Sequence, residues 1–285
     1  MKTEKGKTLK EEETGNWAEL PEDIMALIFS KLNTFRILCN AQFVCSYWHK
    51  LSKNPQLFKS VVITRTSYLH IRKRNPSTRI RYSQGFNEFG MEAVNRSHGE
   101  LKEVFIGKDC TDQLLHHIVR SSKNLLRSFR LSSCSEVTDH NLLIEVAKRN
   151  PLLEDIEISR TNNADEVIKE IGRSCSNLKC FRYYYKGLFD SHYLVYRVGG
   201  ILTGDLAYAI AKNMSQLREL YLSGDGLTNN GLRQILKGCE NLVYLDLQHC
   251  CLRKVKKDLL FKCFSRIKVV KIAEKAVLYD GKDWP

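Results

Sequence analysis

Apolar residues recur along this chain in one spacing: a first position, then others three and five residues later. The triplets are Phe58/Val61/Ile63, Leu101/Val104/Ile106, Leu126/Phe129/Leu131, Leu153/Ile156/Ile158, Leu178/Phe181/Tyr183, Leu217/Leu220/Leu222, Leu242/Leu245/Leu247 and Ile267/Val270/Ile272. From Leu101 onward their starts lie 25, 27, 25, 39, 25 and 25 residues apart. The last two members alternate with their neighbours, which puts them on one side of an extended chain and predicts a short strand. Between strands run amphipathic stretches such as TDQLLHHIVRSS and TNNGLRQILKGC, opened by Thr111-Asp112, Thr138-Asp139 and Thr228-Asn229. A threonine hydroxyl accepts a bond from an otherwise unpaired N–H of a first helical turn, so these three threonines are expected helix N-caps. The unit is strand, turn, helix. Stacked at about 25 residues per unit, it predicts a parallel sheet on the concave side of an arc with helices outside.

Ahead of the repeats the period changes. The stretch NWAELPEDIMALIFSKL, residues 16–32, predicts a helix from Pro21, because proline is tolerated in a first turn and Glu22 and Asp23 then sit at the positive end. Ile24, Leu27, Ile28 and Leu32 fall on one stripe that such a helix must bury against something.

Composition narrows the classes. At 285 residues and 43% hydrophobic, the chain is long enough for one large or two ordinary domains. No run approaches the roughly 18 to 20 apolar residues that cross a bilayer, and the opening MKTEKGKTLKEEE is charged, so an intracellular protein is expected, in nucleus or cytoplasm, with no membrane partner. Ten cysteines without a Cys-x-x-Cys pair predict reduced, buried thiols. His249, Cys250, Cys251 and Cys263 match no zinc spacing, so no metal and no cofactor is expected. The net charge of +13 is local. Six basic residues and no acid lie from Arg65 to Arg81, and eight basic residues face Asp258 alone from Leu252 to Lys271. A solvated face explains both runs, and the rest of the chain is balanced.

Two motif systems then point to a family. LRSFRLSSC and LVYLDLQHC place Cys134 and Cys250 eight positions after the first leucine, while SCSNL and GCENL place Cys175 and Cys239 just before the next strand. This resembles the cysteine-containing leucine-rich repeat, which implies structural thiols packed inside a solenoid. The segment LPEDIMALIFSKLNTFRILCNAQFVCSYWHKLSKNPQLF resembles an F-box: Leu-Pro, an apolar helix, Val44-Cys45-x-x-Trp48, then Pro55 and a large apolar residue. Phe58 stands where tryptophan is more usual, and Ile24 where leucine is. The combination is similar to the plant F-box/leucine-rich-repeat group, weakest over Thr64 to Gly99 and after Lys271.

That resemblance implies an all-α three-helix F-box at 17–60, after a disordered charged tail at 1–16. An α/β leucine-rich-repeat solenoid follows at 61–285, with an insertion near 184–200. It implies a non-catalytic substrate-recognition subunit of a Skp-cullin-F-box (SCF) ubiquitin ligase, docked on a Skp adaptor and through it on a cullin scaffold. The positions matching the F-box motif are Leu20, Pro21, Ile24, Ile28, Leu32, Val44 and Trp48. Trp48 and Val44 serve equally as contacts or as internal packing. An unknown protein substrate is expected on the concave sheet, where alternation places Phe105, Arg130, Glu157, Arg182, Tyr221 and Asp246, with Tyr184 in the next row beside Tyr-rich YYYKGLFDSHYLVYRVGG. The alternative is a basic nucleic-acid or anionic-ligand binder. The run RKVKKDLLFKCFSRIKVVK offers it only two phenylalanines at helical spacing, which read as core. No Gly-rich phosphate loop, paired catalytic carboxylates or nucleophile elbow supports an enzyme.

Overall fold

The computed structural model describes residues 17, 20–64, 82–107, 110–132, 134, 137–159, 164–184, 204–225, 227–252 and 255–272. The charged tail at 1–16, the basic run at 65–81 and the insertion beyond Tyr184 lie outside these residues. α1 (Glu22–Ser30) begins one residue later than predicted, with Pro21 at the N-cap position and Glu22 and Asp23 in the first turn. The buried face of α1 differs from the predicted stripe. Met25 and Phe29 are fully buried, whereas Ile24 and Leu27 are exposed and Ile28 and Leu32 half-buried. Trp48, on α3 (Ser46–Leu51), sets its ring edge-on to Phe29 with centroids 5.3 Å apart, so the longer side chains fill that small core.

Between them α2 (Thr34–Cys39) turns toward the repeats. Ile37 and Leu38 join Phe58 and Val61 in one continuous core that runs through the solenoid. The Thr34 hydroxyl donates to the Ser60 carbonyl at 3.1 Å. The join is reinforced by Arg96 at the end of α4 (Tyr82–Arg96). Its guanidinium donates to the Ser52 carbonyl at 3.2 Å and Gln42 Oε1 at 2.9 Å, pairs with Glu92 at 2.7 Å, and lies over the Phe58 ring at 5.7 Å.

The eight predicted triplets give eight parallel strands in sequential order: β1 (Ser60–Ile63), β2 (Glu103–Gly107), β3 (Ser128–Ser132), β4 (Asp155–Ser159), β5 (Cys180–Tyr184), β6 (Glu219–Asp225), β7 (Tyr244–Cys251) and β8 (Val269–Ile272). Strictly neighbouring order is what a solenoid requires, since each repeat buries its apolar face only against the next. Val104, Phe129, Ile156, Phe181, Leu220 and Leu245 stand in register and are buried. The outer layer comprises α5 (Asp112–Ser121), α6 (Asn141–Arg149), α7 (Ala164–Ser174), α8 (Gly204–Asn213), α9 (Asn229–Gly238) and α10 (Lys257–Arg266). At Gly238 a Cβ would come within 2.1 Å of the Ala211 carbonyl oxygen, so the approach of α8 to α9 requires glycine.

Buried thiols tie one repeat to the one before it. Cys134 donates to the Ile106 carbonyl at 3.6 Å and Cys250 to that of Leu222 at 3.2 Å, while Cys175 reaches Ala147 at 3.8 Å and Cys239 reaches Met214 at 3.7 Å. Burial pushes the Cys175 and Cys239 thiols up to about 12, which keeps them protonated and unreactive.

Thr111 and Thr228 cap α5 and α9 as expected, accepting from Leu114 N at 3.5 Å and Gly231 N at 3.0 Å. Thr138 does not cap: α6 begins at Asn141, preceded by His140. The Thr138 hydroxyl instead donates to Asp112, whose carboxylate also accepts Thr138 N at 2.9 Å and Asp139 N at 3.2 Å. Two extra residues in this repeat, 27 against 25, leave room for that excursion. Related bridges run from Asn87 to Thr111 and from Asn229 to Lys256.

Candidate functional site

Two faces of the described molecule carry side chains that the fold does not require to be where they are. The first lies on the F-box helices. Phe43 is 73% exposed, Val44 60% and Leu27 56%, and Ile24 and Trp17 are exposed as well. Ile24 and Leu27 sit one turn apart on α1, while Phe43 and Val44 close the 3-10 turn Ala41–Phe43. Of the motif positions, Pro21, Ile24 and Val44 are therefore bare, and Leu20, Ile28, Leu32 and Trp48 pack partly onto the Met25/Phe29 core. Trp48 is half-buried and packs on Phe29, and Val44 faces solvent. Phe43 was not singled out by the motif. Both Phe43 and Val44 face solvent, which the apolar character of the pair does not reveal.

The second face is the concave sheet. Phe105, Arg130, Glu157, Arg182, Tyr221 and Asp246 stand in one register row from β2 to β7, as alternation predicts. A parallel row two residues earlier, Glu103, Ser128, Asp155, Cys180, Glu219 and Tyr244, faces the same side and was missed, although the same period of two identifies it. With Lys271 on β8, the two rows hold five carboxylates and three cations, a balance of −2. The row after them is interrupted. A bulge between β6 and β7 sets Ser223 opposite His249 and not Gln248, which no sequence period reveals.

The arginines of this face are already engaged. Arg182 ion-pairs with Asp155, comes within 4.0 Å of Glu219, and lies over the Tyr221 ring at 4.7 Å. Arg130 lies over Phe105 at 4.7 Å, and its Nε, shut off from solvent, faces Asp155 at 3.8 Å with no hydrogen-bond acceptor. The stack continues outward: Tyr221 on Tyr244 at 4.9 Å, then Lys271 over Tyr244 at 5.4 Å. The Tyr221 hydroxyl donates to Glu219 at 3.0 Å and the Tyr244 hydroxyl to Asp246 at 3.4 Å.

Burial pushes the Glu157 carboxyl up, opposed by a bond from Ser132 and by the two arginines. Tyr184 is only 8% exposed, and burial, aided by the Glu157 charge, raises its hydroxyl to about 12. It lines the face from within more than it projects from it. Among the described residues, no three His, Cys, Asp or Glu side chains are grouped to hold a metal.

The basic C-terminal run departs from expectation. Phe261 and Phe264 are exposed on α10, whose buried residues are Leu259 and Cys263. That helix has a neighbouring helix, α9, on one side only among the described residues, so a single narrow stripe is covered.

A solenoid of strand–helix repeats behind a small helical domain with a bare apolar surface defines an F-box/leucine-rich-repeat protein. The family model described as F-box-like matches residues 17–64. The chain is 36% identical over 260 residues to putative F-box/LRR-repeat protein 23 of Arabidopsis thaliana, an alignment covering 91% of this chain and 54% of that protein, so it spans about half the length of that relative. It is 33% identical over 259 residues to F-box protein SKIP19 of the same plant, covering 91% and 78% respectively. Among solved structures, the yeast Rad7 and Elc1 complex contains a chain matched over 92% of this one and 86% of its own length, at 16% identity and a TM-score of 0.38. The chain belongs to the F-box/LRR-repeat family.

Proposed function

We propose that this chain is the substrate-recognition subunit of an SCF ubiquitin ligase, its F-box docked on a Skp adaptor bound to a cullin, and its concave sheet holding a protein substrate. The observation that carries the first half is the coincidence of the F-box match with apolar side chains left bare: Ile24, Leu27, Phe43 and Val44. Covering such a side chain is worth about 1.5 to 3 kcal/mol, so a few suffice for a stable complex after association costs. The ubiquitin chemistry occurs elsewhere in the assembly, and this subunit contributes proximity. Nucleus and cytoplasm both suit that role.

Because Ile37, Leu38 and Phe58 belong to the solenoid core, the test uses the full chain. Ile24→Ala with Val44→Ala should reduce retention on an immobilised Skp adaptor about tenfold or more while leaving the thermal melt unchanged. Full retention by the double variant removes these residues from the interface, and no retention of the wild-type chain removes the adaptor function.

For the substrate side the expected contacts are Phe105, Arg130, Glu157, Arg182, Tyr184, Tyr221 and Asp246. Tyr221 and Asp246 are supported by partial exposure, Tyr184 and Glu157 least, being buried. The nucleic-acid alternative keeps one favourable observation, exposed Phe261 and Phe264 among Lys257, Lys262 and Lys268. A duplex or single strand held at physiological salt and selected by sequence would establish it.

A further inference from the structure

The concave face and the whole chain differ in the sign of their charge, −2 across the two rows against +13 overall. Nor do the two arginines of the face await an anion. Arg182 is 17% exposed, paired with Asp155 and capped by a tyrosine ring, and Arg130 is stacked on Phe105. The carboxylates toward the C-terminal half stand otherwise. Glu219 is 46% exposed, and its contacts with the Tyr221 hydroxyl, the Cys180 thiol and Arg182 all use Oε2, leaving Oε1 outside that network. Asp246 is held by the Tyr244 hydroxyl and by the Gln248 N–H at 3.0 Å. The tyrosine and backbone donors carry no charge; the nearest cations are Arg182, already paired with Asp155, 4.0 Å from Glu219, and Lys271, opposite Asp246 in register, so the two rows keep their surplus of carboxylates.

Register explains the geometry. Glu219 stands opposite Tyr244, and Tyr221 opposite Asp246, so the two carboxylates sit diagonally about a stacked tyrosine pair. A lysine or arginine has a cationic head for the carboxylates and an apolar stem for the tyrosine edges. An acidic segment or a nucleic-acid backbone would meet like charge here.

We propose that the concave face selects a Lys/Arg-bearing segment of the substrate protein, with its cations on Glu219 and Asp246. This rests on the reading that the concave face is the substrate side, and the two are separable by experiment. The full chain, bound to its Skp adaptor, is titrated by fluorescence anisotropy with three labelled peptides of equal length: one rich in lysine and arginine, one neutral, one rich in aspartate and glutamate. The basic peptide should bind about tenfold tighter than the acidic one, lose that advantage as salt rises, and weaken about tenfold against Glu219→Gln with Asp246→Asn. Melting curves and adaptor retention confirm that the variant is folded. No preference for the basic peptide, or a preference for the acidic one, overturns the proposal. If whichever peptide binds is nonetheless lost on Tyr221→Ala with Tyr244→Ala, which removes the stacked pair of that face, the concave reading stands and only the charge class falls. Basic-peptide binding that survives both variants places the site elsewhere and overturns both.

Discussion

The F-box surface and the concave sheet are both open to water but differ in what they leave unsatisfied. On the F-box, Leu27, Phe43 and Val44 are bare hydrocarbon with nothing to satisfy, so their energy is recovered only when a matching apolar surface covers them. On the sheet, cation, ring and carboxylate are already matched to one another, from Arg182 through Tyr221 and Tyr244 to Lys271. A partner there gains little by replacing one satisfied contact with another. It gains by answering the charge left over. As partner surfaces of the proposed kind, the first would yield affinity for one shape and the second discrimination among chemistries.

The sharpest way to break this contrast is to show that a residue of one face acts like a residue of the core. Phe181→Ala, which empties a fully buried position beneath the sheet, should cost about 3 to 5 kcal/mol in a thermal or denaturant melt. Leu27→Ala should change the same melt by no more than about 0.5 kcal/mol. Comparable losses would mean that Leu27 is structural and the F-box face is not waiting for a partner.

A smaller effect is expected where repeats are bridged by polar groups. Burial pushes the Asp112 carboxyl up, but the bonds from Thr138 and from the 138 and 139 backbone outweigh it and leave the carboxyl below its ordinary value. Asp112→Ala should therefore destabilise by about 1 to 2 kcal/mol at neutral pH. A lowered folded pKa stabilises above the unfolded value, so the difference from wild type should shrink as pH falls below about 4. A difference that stays constant into acid would show that the bridge does not act through the carboxylate.

The smallest change, and one of opposite sign, belongs to Glu157. With its folded pKa raised by burial, it favours the native state in acid and loses that contribution as pH rises through the raised value. Glu157→Gln should match or slightly exceed wild-type stability at neutral pH, with the gain disappearing toward pH 4. Marked destabilisation at neutral pH would show that the buried charge is needed by Arg130 and Arg182, and that the face is less self-sufficient than its geometry indicates.

Strands were easy to read because a period of two is set by the backbone itself. Leu126, Phe129 and Leu131 announce β3 whatever surrounds them. Cysteines were equally plain, since Cys134 and Cys250 recur at one repeat position. What escaped depends on neighbours that a single sequence does not display. α1 turns Met25 inward and Ile24 outward because Trp48 and Phe29 meet there, and both stripes are apolar. Thr138 has the chemistry of a cap but is drawn away by Asp112, a residue from the repeat before it. Phe261 and Phe264 have core spacing and no place in the core, since covering a helix face depends on what stacks beside it. The row carrying Asp155 and Glu219 follows from the same period of two as its more aromatic companion.

Arg96 has a mechanical consequence. By gripping Ser52 and Gln42 with one end and resting on Phe58, it turns what could be a swivel between helices and sheet into a welded corner. Torque applied at one arm is then transmitted to the other, and a molecule seated in the hollow is aimed as well as held. For an adaptor of the proposed kind, this confines the substrate's lysines to a narrow cone of directions, raising their local concentration at one reach and starving others. The acceptor site would thus be chosen by the angle of a joint lying between the two faces.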